Sequence, residues 1–235
     1  PPPPPPAPSP TYSSSAASDV YKRQPGYLKM LFDKTRTEGG LCVADEVQGG
    51  FGRLGGHFWG FQFDDVVPDI VTLGKPIGNG HPLAAVVTRP DVAEILANER
   101  GYFSTFGGNP VSCAAGLAVF KVIETEGLQR NALEVGQYLK QRLAKLQKDY
   151  PVMGGLHGSG LLLGVDMIKP DGTPNPDLAD EILNDMRENG VLIGTTGKNY
   201  ATLKIRPPIV FQKEHAEILL ETLKKALDNS STTLS

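Results

Sequence analysis

Residues 41–53 read LCVADEVQGGFGR, and residues 70–82 read IVTLGKPIGNGHP. Each stretch opens with a short, nearly all-apolar run of the kind that forms a strand covered on both faces, and each run stops at a group with chemistry. The first ends in Asp45, and the second leads into Lys75, thirty residues on (75 − 45). A third run of the same kind, LAAVVTR at 83–89, follows the glycine-rich turn. The pattern predicts neighbouring strands of one mostly parallel sheet, with a carboxylate and an amine at the C-terminal ends of two of them.

Helical signals surround these strands. YLKMLFDKTRTEGG (27–40) spaces Leu28, Leu31 and Phe32 as an amphipathic helix does and closes on Gly39 and Gly40. DVAEILANE follows Pro90, and the small-residue run NPVSCAAGLAVFKVIETEG (109–127) suits a helix packed closely on a sheet. Beyond Gly127 come a long helix from about Leu128 to Lys148, a Gly-rich turn, the strand GLLLGVDMI, a helix from about Asp177 to Glu188, the strands VLIGTT and TLKIRPP, and a last helix from Lys213 to Leu227. Alternating strands and helices define an α/β chain. The break near Gly127 predicts the C-terminal part of a larger domain over 27–127, a smaller α/β domain over 128–228, and a disordered tail over 229–235. Residues 1–26, opening PPPPPPAPSP and then rich in serine, are read as disordered or foreign and lie outside the expected fold.

Composition narrows the classes. Of 235 residues, 40% are hydrophobic and 21% charged, as in a globular chain with a sizeable core. The net charge is 23 − 26 = −3, with lysines and arginines scattered, which argues against nucleic acid as a partner. Only two cysteines occur, Cys42 and Cys113, too few for a disulfide framework or a thiolate metal site, so a reducing intracellular compartment, cytoplasmic or mitochondrial, is expected. No apolar run is long enough to span a bilayer. His57, His81, His157 and His215 lack ligand spacing, so no metal site is expected.

The carboxylate and the amine fit the needs of a pyridoxal phosphate site. A carboxylate held beside the pyridine nitrogen keeps that nitrogen protonated and makes the ring an electron sink, and Asp45 is placed for this role. Burial of Lys75 would favour the neutral amine that a Schiff base requires. Gln48, three residues beyond Asp45, can reach the ring's phenolic oxygen, and Val47 can pack on the ring face. In YFSTFGGNPVSC, Ser104 and Thr105 precede two glycines and a helix start at Asn109 to Val111, offering hydroxyl and backbone donors to a phosphate. Other uses compete for the same residues: a strand-end Asp caps turns, a loop lysine is usually solvated, and HGSGLLLG reads as a turn because it precedes a strand instead of opening a helix. Arg53 and Trp59 in FGRLGGHFWG are expected to stabilise a loop near the cofactor.

From about Gly40 to Leu227 the chain resembles the class III aminotransferases, which are fold-type I pyridoxal phosphate enzymes. The resemblance rests on ADEVQGGFGRLGGHFWGFQ, PDIVTLGKPIGNGHPLAAVV, FSTFGGNPVSCAAGLAV and LKIRPPIVF, and is strongest to the alanine–glyoxylate aminotransferase type 2-like group. It implies that Lys75 carries the cofactor as a Schiff base, that Asp45 pairs with the pyridine nitrogen and that Gln48 contacts the ring hydroxyl. It also implies that Thr105 binds the phosphate held by the neighbouring subunit, hence a homodimer with shared active sites, acting on a small amine or amino acid. Many relatives carry an arginine where this chain has Lys204, and that arginine grips the substrate's α-carboxylate with a fork that lysine cannot copy, leaving Arg206 as a possible substitute. GKPIGNGHP and LKIRPP are also similar to the branch containing ammonia-releasing phospholyases, which act on phosphoethanolamine or phosphohydroxylysine. The family's N-terminal half has no counterpart here, so the chain is expected to be a C-terminal fragment, inactive alone and with apolar edges exposed. An inactive partner or regulatory subunit is the alternative from another class. A nucleotide-binding oxidoreductase lacks the strand, glycine fingerprint and helix in the needed order.

Overall fold

The computed structural model describes residues 13–14, 26–99, 101–197 and 199–233. The chain divides into two compact units. One takes in Arg23–Phe51 and Trp59–Val122; the other takes in Gly52–Phe58 and everything from Ile123.

In the first unit, β1 (Ser13–Ser14), β2 (Val43–Asp45), β3 (Ile70–Leu73) and β4 (Ala85–Thr88) form a sheet in that order. The pairs β1–β2 and β2–β3 are parallel and β3–β4 is antiparallel, the mostly parallel arrangement expected. Ser13–Ser14 lies within the stretch expected to stay outside the fold. Its register with Val43 and Ala44 uses the backbone groups that an edge strand otherwise leaves unpaired, a source of structure that composition does not reveal. Apart from this pair and Gly26, residues 1–26 lie outside the described residues.

Helix α1 (Tyr27–Thr37) buries Phe32 against Cys42 and Val66, and the Asp64 carboxylate accepts the backbone N–H of Gly26 and of Leu28 at 3.1 and 2.9 Å, satisfying donors that a helix start leaves open. Asp69, 3% exposed, ties the sheet's entry together. Its Oδ2 accepts the Cys42 N–H at 2.8 Å, its Oδ1 meets the Arg89 guanidinium at 2.5 Å, and its carbonyl accepts the Thr88 hydroxyl, so one residue links β2, β3 and β4. Helices α2 (Pro90–Glu99) and α3 (Pro110–Thr125) follow. Ser112 and Gly116 are buried on α3, while Val111 and Leu117 are exposed. Val86, Val87, Phe103 and Phe106 are exposed as well, so this unit presents the uncovered apolar surface that the sequence predicts.

The second unit is an antiparallel sheet, β5 (Met153–Ser159), β6 (Leu162–Met167), β8 (Thr202–Ile205) and β7 (Gly194–Thr196), in the order β5-β6-β8-β7. Leu163, Val165, Met167, Leu203 and Ile205 pack with helices α4 (Leu128–Asp149), α5 (Pro176–Glu188) and α6 (Lys213–Thr233) in one core. Two features differ from the sequence expectation. Met153–Ser159 is a strand, whereas MGGLHGS looks like turn sequence. Its glycines permit close approach, since a Cβ on Gly154 would fall 2.8 Å from Ile168, and the register shifts between Met153 and Leu156. The expected tail is also helical through Thr233: Ser230 is 3% exposed and the Asn229 amide donates to Asp185, so polar residues are tied down rather than released.

The loop Gly52–Phe58 belongs with this unit through specific bonds. Arg53 donates to the carbonyls of Leu161 and Pro207 at 3.2 and 2.7 Å, and the Ser159 hydroxyl donates to the Leu54 carbonyl at 3.0 Å. Burial, and secondarily the neighbouring Arg206 charge, lowers the Arg53 guanidinium to about 10. Arg53 therefore ties its loop to backbone within the C-terminal unit.

Candidate active site

Parallel pairing of β2 with β3 sets Asp45 opposite Thr72. Asp45 closes β2, half-buried, and its Oδ1 accepts the Val47 N–H at 3.0 Å and lies 3.5 Å from the Thr72 hydroxyl. Among the described residues no donor reaches Oδ2, which leaves one carboxylate oxygen for an outside N–H.

Lys75 stands three residues beyond Thr72 (75 − 72), at the same end of the sheet. Three residues of chain reach at most about 11 Å, and paired Cα atoms on neighbouring strands lie about 5 Å apart, so the two side chains can flank one small aromatic ring. The backbone of Lys75 is unusual: φ is +39°, in the left-handed region that non-glycine residues rarely adopt. Such strain costs of order 1–3 kcal/mol and persists where the surroundings over-determine it. The residue opens a single 3-10 turn, Lys75–Ile77, and is exposed. The expectation of a buried amine is thus corrected. The turn carries Lys75 past the strand end, and no described element covers it.

Val47 lies beside the turn: a Cβ on Gly74 would lie 3.4 Å from Val47 Cγ1. Gln48 is half-buried in the same loop. Ser104 and Thr105 are exposed, and the Ser104 hydroxyl accepts the Gly107 N–H at 3.0 Å, a local turn ahead of the α3 start. Asn109 caps that helix, its Oδ1 accepting the Ser112 N–H at 2.9 Å. On the second unit Lys204 is half-buried on β8 with Gly164 and Gly194 as its register partners, so neither neighbour crowds its side chain, and Arg206 is exposed.

Glu46, His81 and His157 make contacts that sequence reasoning does not assign, and Trp59 packs in its loop. Glu46, next to Asp45 and 3% exposed, accepts the N–H groups of Gly60 and Phe61, both at 2.9 Å. Burial, first of all, raises its carboxyl above the usual range, against the pull of those two donors. Strand alternation sends Glu46 to the face opposite Asp45, the one signal available beforehand. His81 bonds Ser112 at 2.8 Å. His157 bonds Asp166 at 2.6 Å, and Thr202 donates to the other oxygen of that carboxylate at 2.6 Å, a polar set across β5, β6 and β8. Trp59 lies against Gly50, where a Cβ would meet its ring at 2.9 Å, and edge-on to Phe51.

A half-free carboxylate at one strand end and a strained lysine beyond the next thus stand at one end of one α/β sheet. The family model for class-III aminotransferases matches residues 15–227, and the chain belongs to that family, whose cofactor is pyridoxal phosphate and whose substrates are small amines or amino acids. It is 49% identical over 206 residues to the mitochondrial alanine–glyoxylate aminotransferase 2 homolog 2 of Arabidopsis thaliana, covering 87% of this chain and 43% of that protein. Among solved structures it is similar to a phospholyase from Arthrobacter in complex with phosphoethanolamine, at 41% identity and TM-score 0.88, covering 91% of this chain and 51% of that one. It is also similar to the ornithine aminotransferase from Toxoplasma gondii, which has pyridoxal phosphate at its active site, at 30% identity and TM-score 0.77, covering 87% and 47%. The chain thus spans about half the length of the proteins it matches.

Proposed function

We propose that the protein to which this chain belongs transfers amino groups from a small amine or amino acid, with pyridoxal phosphate held between Asp45 and Lys75. The observation that carries this reading is the pairing of β2 with β3, which supports an anion and an amine at one end of one sheet, with Oδ2 of Asp45 open to a pyridinium N–H. When bound, the cofactor supplies an electron sink for a carbon next to the amino group. Asp45 Oδ2 holds the proton on the ring nitrogen, Lys75 Nζ provides the covalent tether, Val47 packs on the ring and Gln48 meets its hydroxyl. Ser104 and Thr105 offer hydroxyls to the phosphate, Thr105 to that of a second copy, which makes the working unit a homodimer. On the C-terminal unit, Lys204 and Arg206 offer positive charge to an acidic group. The compartment is intracellular, mitochondrial by analogy with the named relative.

A second reading is elimination of phosphate from phosphoethanolamine or a similar phosphorylated amine, with release of ammonia. Two observations favour it: Lys204 provides a point charge in place of an arginine fork, which suits phosphate as readily as carboxylate, and the Arthrobacter neighbour holds phosphoethanolamine. One assay separates the two. The protein from its complete reading frame is incubated with phosphoethanolamine and, separately, with an amino acid plus a keto acid. New keto acid without phosphate or ammonia supports transfer; equimolar phosphate and ammonia supports elimination; no product in either arm overturns both.

A further inference from the structure

We propose that His81 is a positioning residue that fastens the Lys75 turn to the N-terminus of α3 through Ser112. This rests on the reading that Lys75 binds the cofactor.

The Asn109 amide fixes its own hydrogen-bond directions. Asn109 Oδ1 accepts the Ser112 N–H at 2.9 Å, so the opposite end of that amide is the nitrogen. Nδ2 has two hydrogens, and both are used: one goes to the Phe106 carbonyl at 2.8 Å, the other to Ser112 Oγ at 2.9 Å. Ser112 Oγ therefore receives one hydrogen and keeps its own hydrogen and a second lone pair for another partner. Its remaining partner is His81 Nε2, 2.8 Å away. The chain runs from Asn109 to Ser112 to His81, whose Nε2 either takes the hydroxyl proton or donates to the oxygen's second lone pair, and either way the bond is made. Ser112 is 6% exposed, so water cannot readily replace that bond.

The turn needs such a fastening. Between Gly74 and Pro82 it is built from short backbone bonds, Ile77 N–H to Gly74, Asn79 N–H to Pro76 and His81 N–H to Gly78, and it holds three residues at positive φ: Lys75 at 39°, Asn79 at 45° and Gly80 at 100°. Helix α3 seats against the same segment, since a Cβ on Gly116 would fall 2.7 Å from Leu83 Cδ2 and 3.6 Å from the Ile77 carbonyl. This contact has no directional preference. The His81–Ser112 bond supplies the direction, joining the segment that bears Lys75 to the helix start that follows Ser104 and Thr105. The Lys75 turn and the start of α3 are thereby held in one register.

The test uses the protein from its complete reading frame, loaded with pyridoxal phosphate. Four variants are compared with wild type: His81→Phe, which keeps a flat ring but no hydrogen-bonding nitrogen; Ser112→Ala; the double variant; and His81→Gln, whose amide can take the place of Nε2 as donor or acceptor. The readout is the rate of cofactor release. Losing one buried hydrogen bond should speed release about three- to tenfold in each single variant, with the double no faster than His81→Phe and His81→Gln close to wild type. Release unchanged in His81→Phe and Ser112→Ala overturns the proposal, as do multiplicative effects in the double variant. If His81→Phe fails to fold, Ser112→Ala against His81→Gln carries the comparison. Wild type without a lysine-bound absorption band would instead overturn the reading of Lys75, so the two failures are distinct.

Discussion

Asp45 and Thr72 are register partners across two parallel strands, with the Thr72 hydroxyl 3.5 Å from one carboxylate oxygen and the other oxygen open. A hydroxyl at that distance contributes little as a hydrogen bond. The carboxylate itself is the group that matters for a protonated ring.

Asp45→Asn should therefore lower turnover at least about 10²-fold, the loss typical of removing one preorganised electrostatic group from an active site. Thr72→Val should change it less than about threefold, because the bond is already at the limit of useful geometry. Steady-state rates of both variants decide the matter. Equal losses would mean that the charge at 45 has no special role.

Glu46 lends itself to a pH test. Burial raises its carboxyl above the ordinary value of 4.5, so the folded state holds the proton more tightly than the unfolded chain does. The resulting contribution to stability is full below the unfolded value and is lost as pH rises through the folded one. Glu46→Gln removes the titration, so the stability of wild type relative to this variant should grow as pH falls from 7 towards 4. Denaturant titrations across that range measure it. Glu46→Ala, which strips the acceptor from the Gly60 and Phe61 N–H groups, should cost about 1–3 kcal/mol.

Gly136 on α4 faces the turn between β5 and β6, where a Cβ would fall 2.3 Å from the Gly160 carbonyl oxygen. Alanine gains about 1 kcal/mol in a helix interior over glycine, but overpacking against backbone costs about 1–3 kcal/mol. Gly136→Ala should thus be destabilising, visible as a lower melting temperature. A rise would show that the helix can slide at no cost.

Much of the fold was legible because apolar runs with sharp ends encode buried strands. LCVAD, IVTLG and LAAVVTR became β2, β3 and β4, and their ends brought Asp45 and Lys75 to one side. Where glycine replaces side chains the code fails: MGGLHGS gives no alternation to read, and its strand exists because β6 accepts its backbone. The continuation of α6 depends on Asn229 finding Asp185, forty-four residues away, and the burial of Glu46 depends on a loop that folds back over it. Long-range pairing of this kind leaves no trace in local periodicity. The exposure of Lys75 is likewise a property of what packs on the turn rather than of the turn's sequence.

The central claim is a covalent bond between one lysine and the cofactor, and absorption spectroscopy addresses it directly. The protein from its complete reading frame, mixed with pyridoxal phosphate and freed of excess, should show a visible band that sodium borohydride abolishes and fixes onto the peptide containing Lys75. Lys75→Ala should lack that band. A band of undiminished intensity in Lys75→Ala, or label on another lysine, would contradict the account.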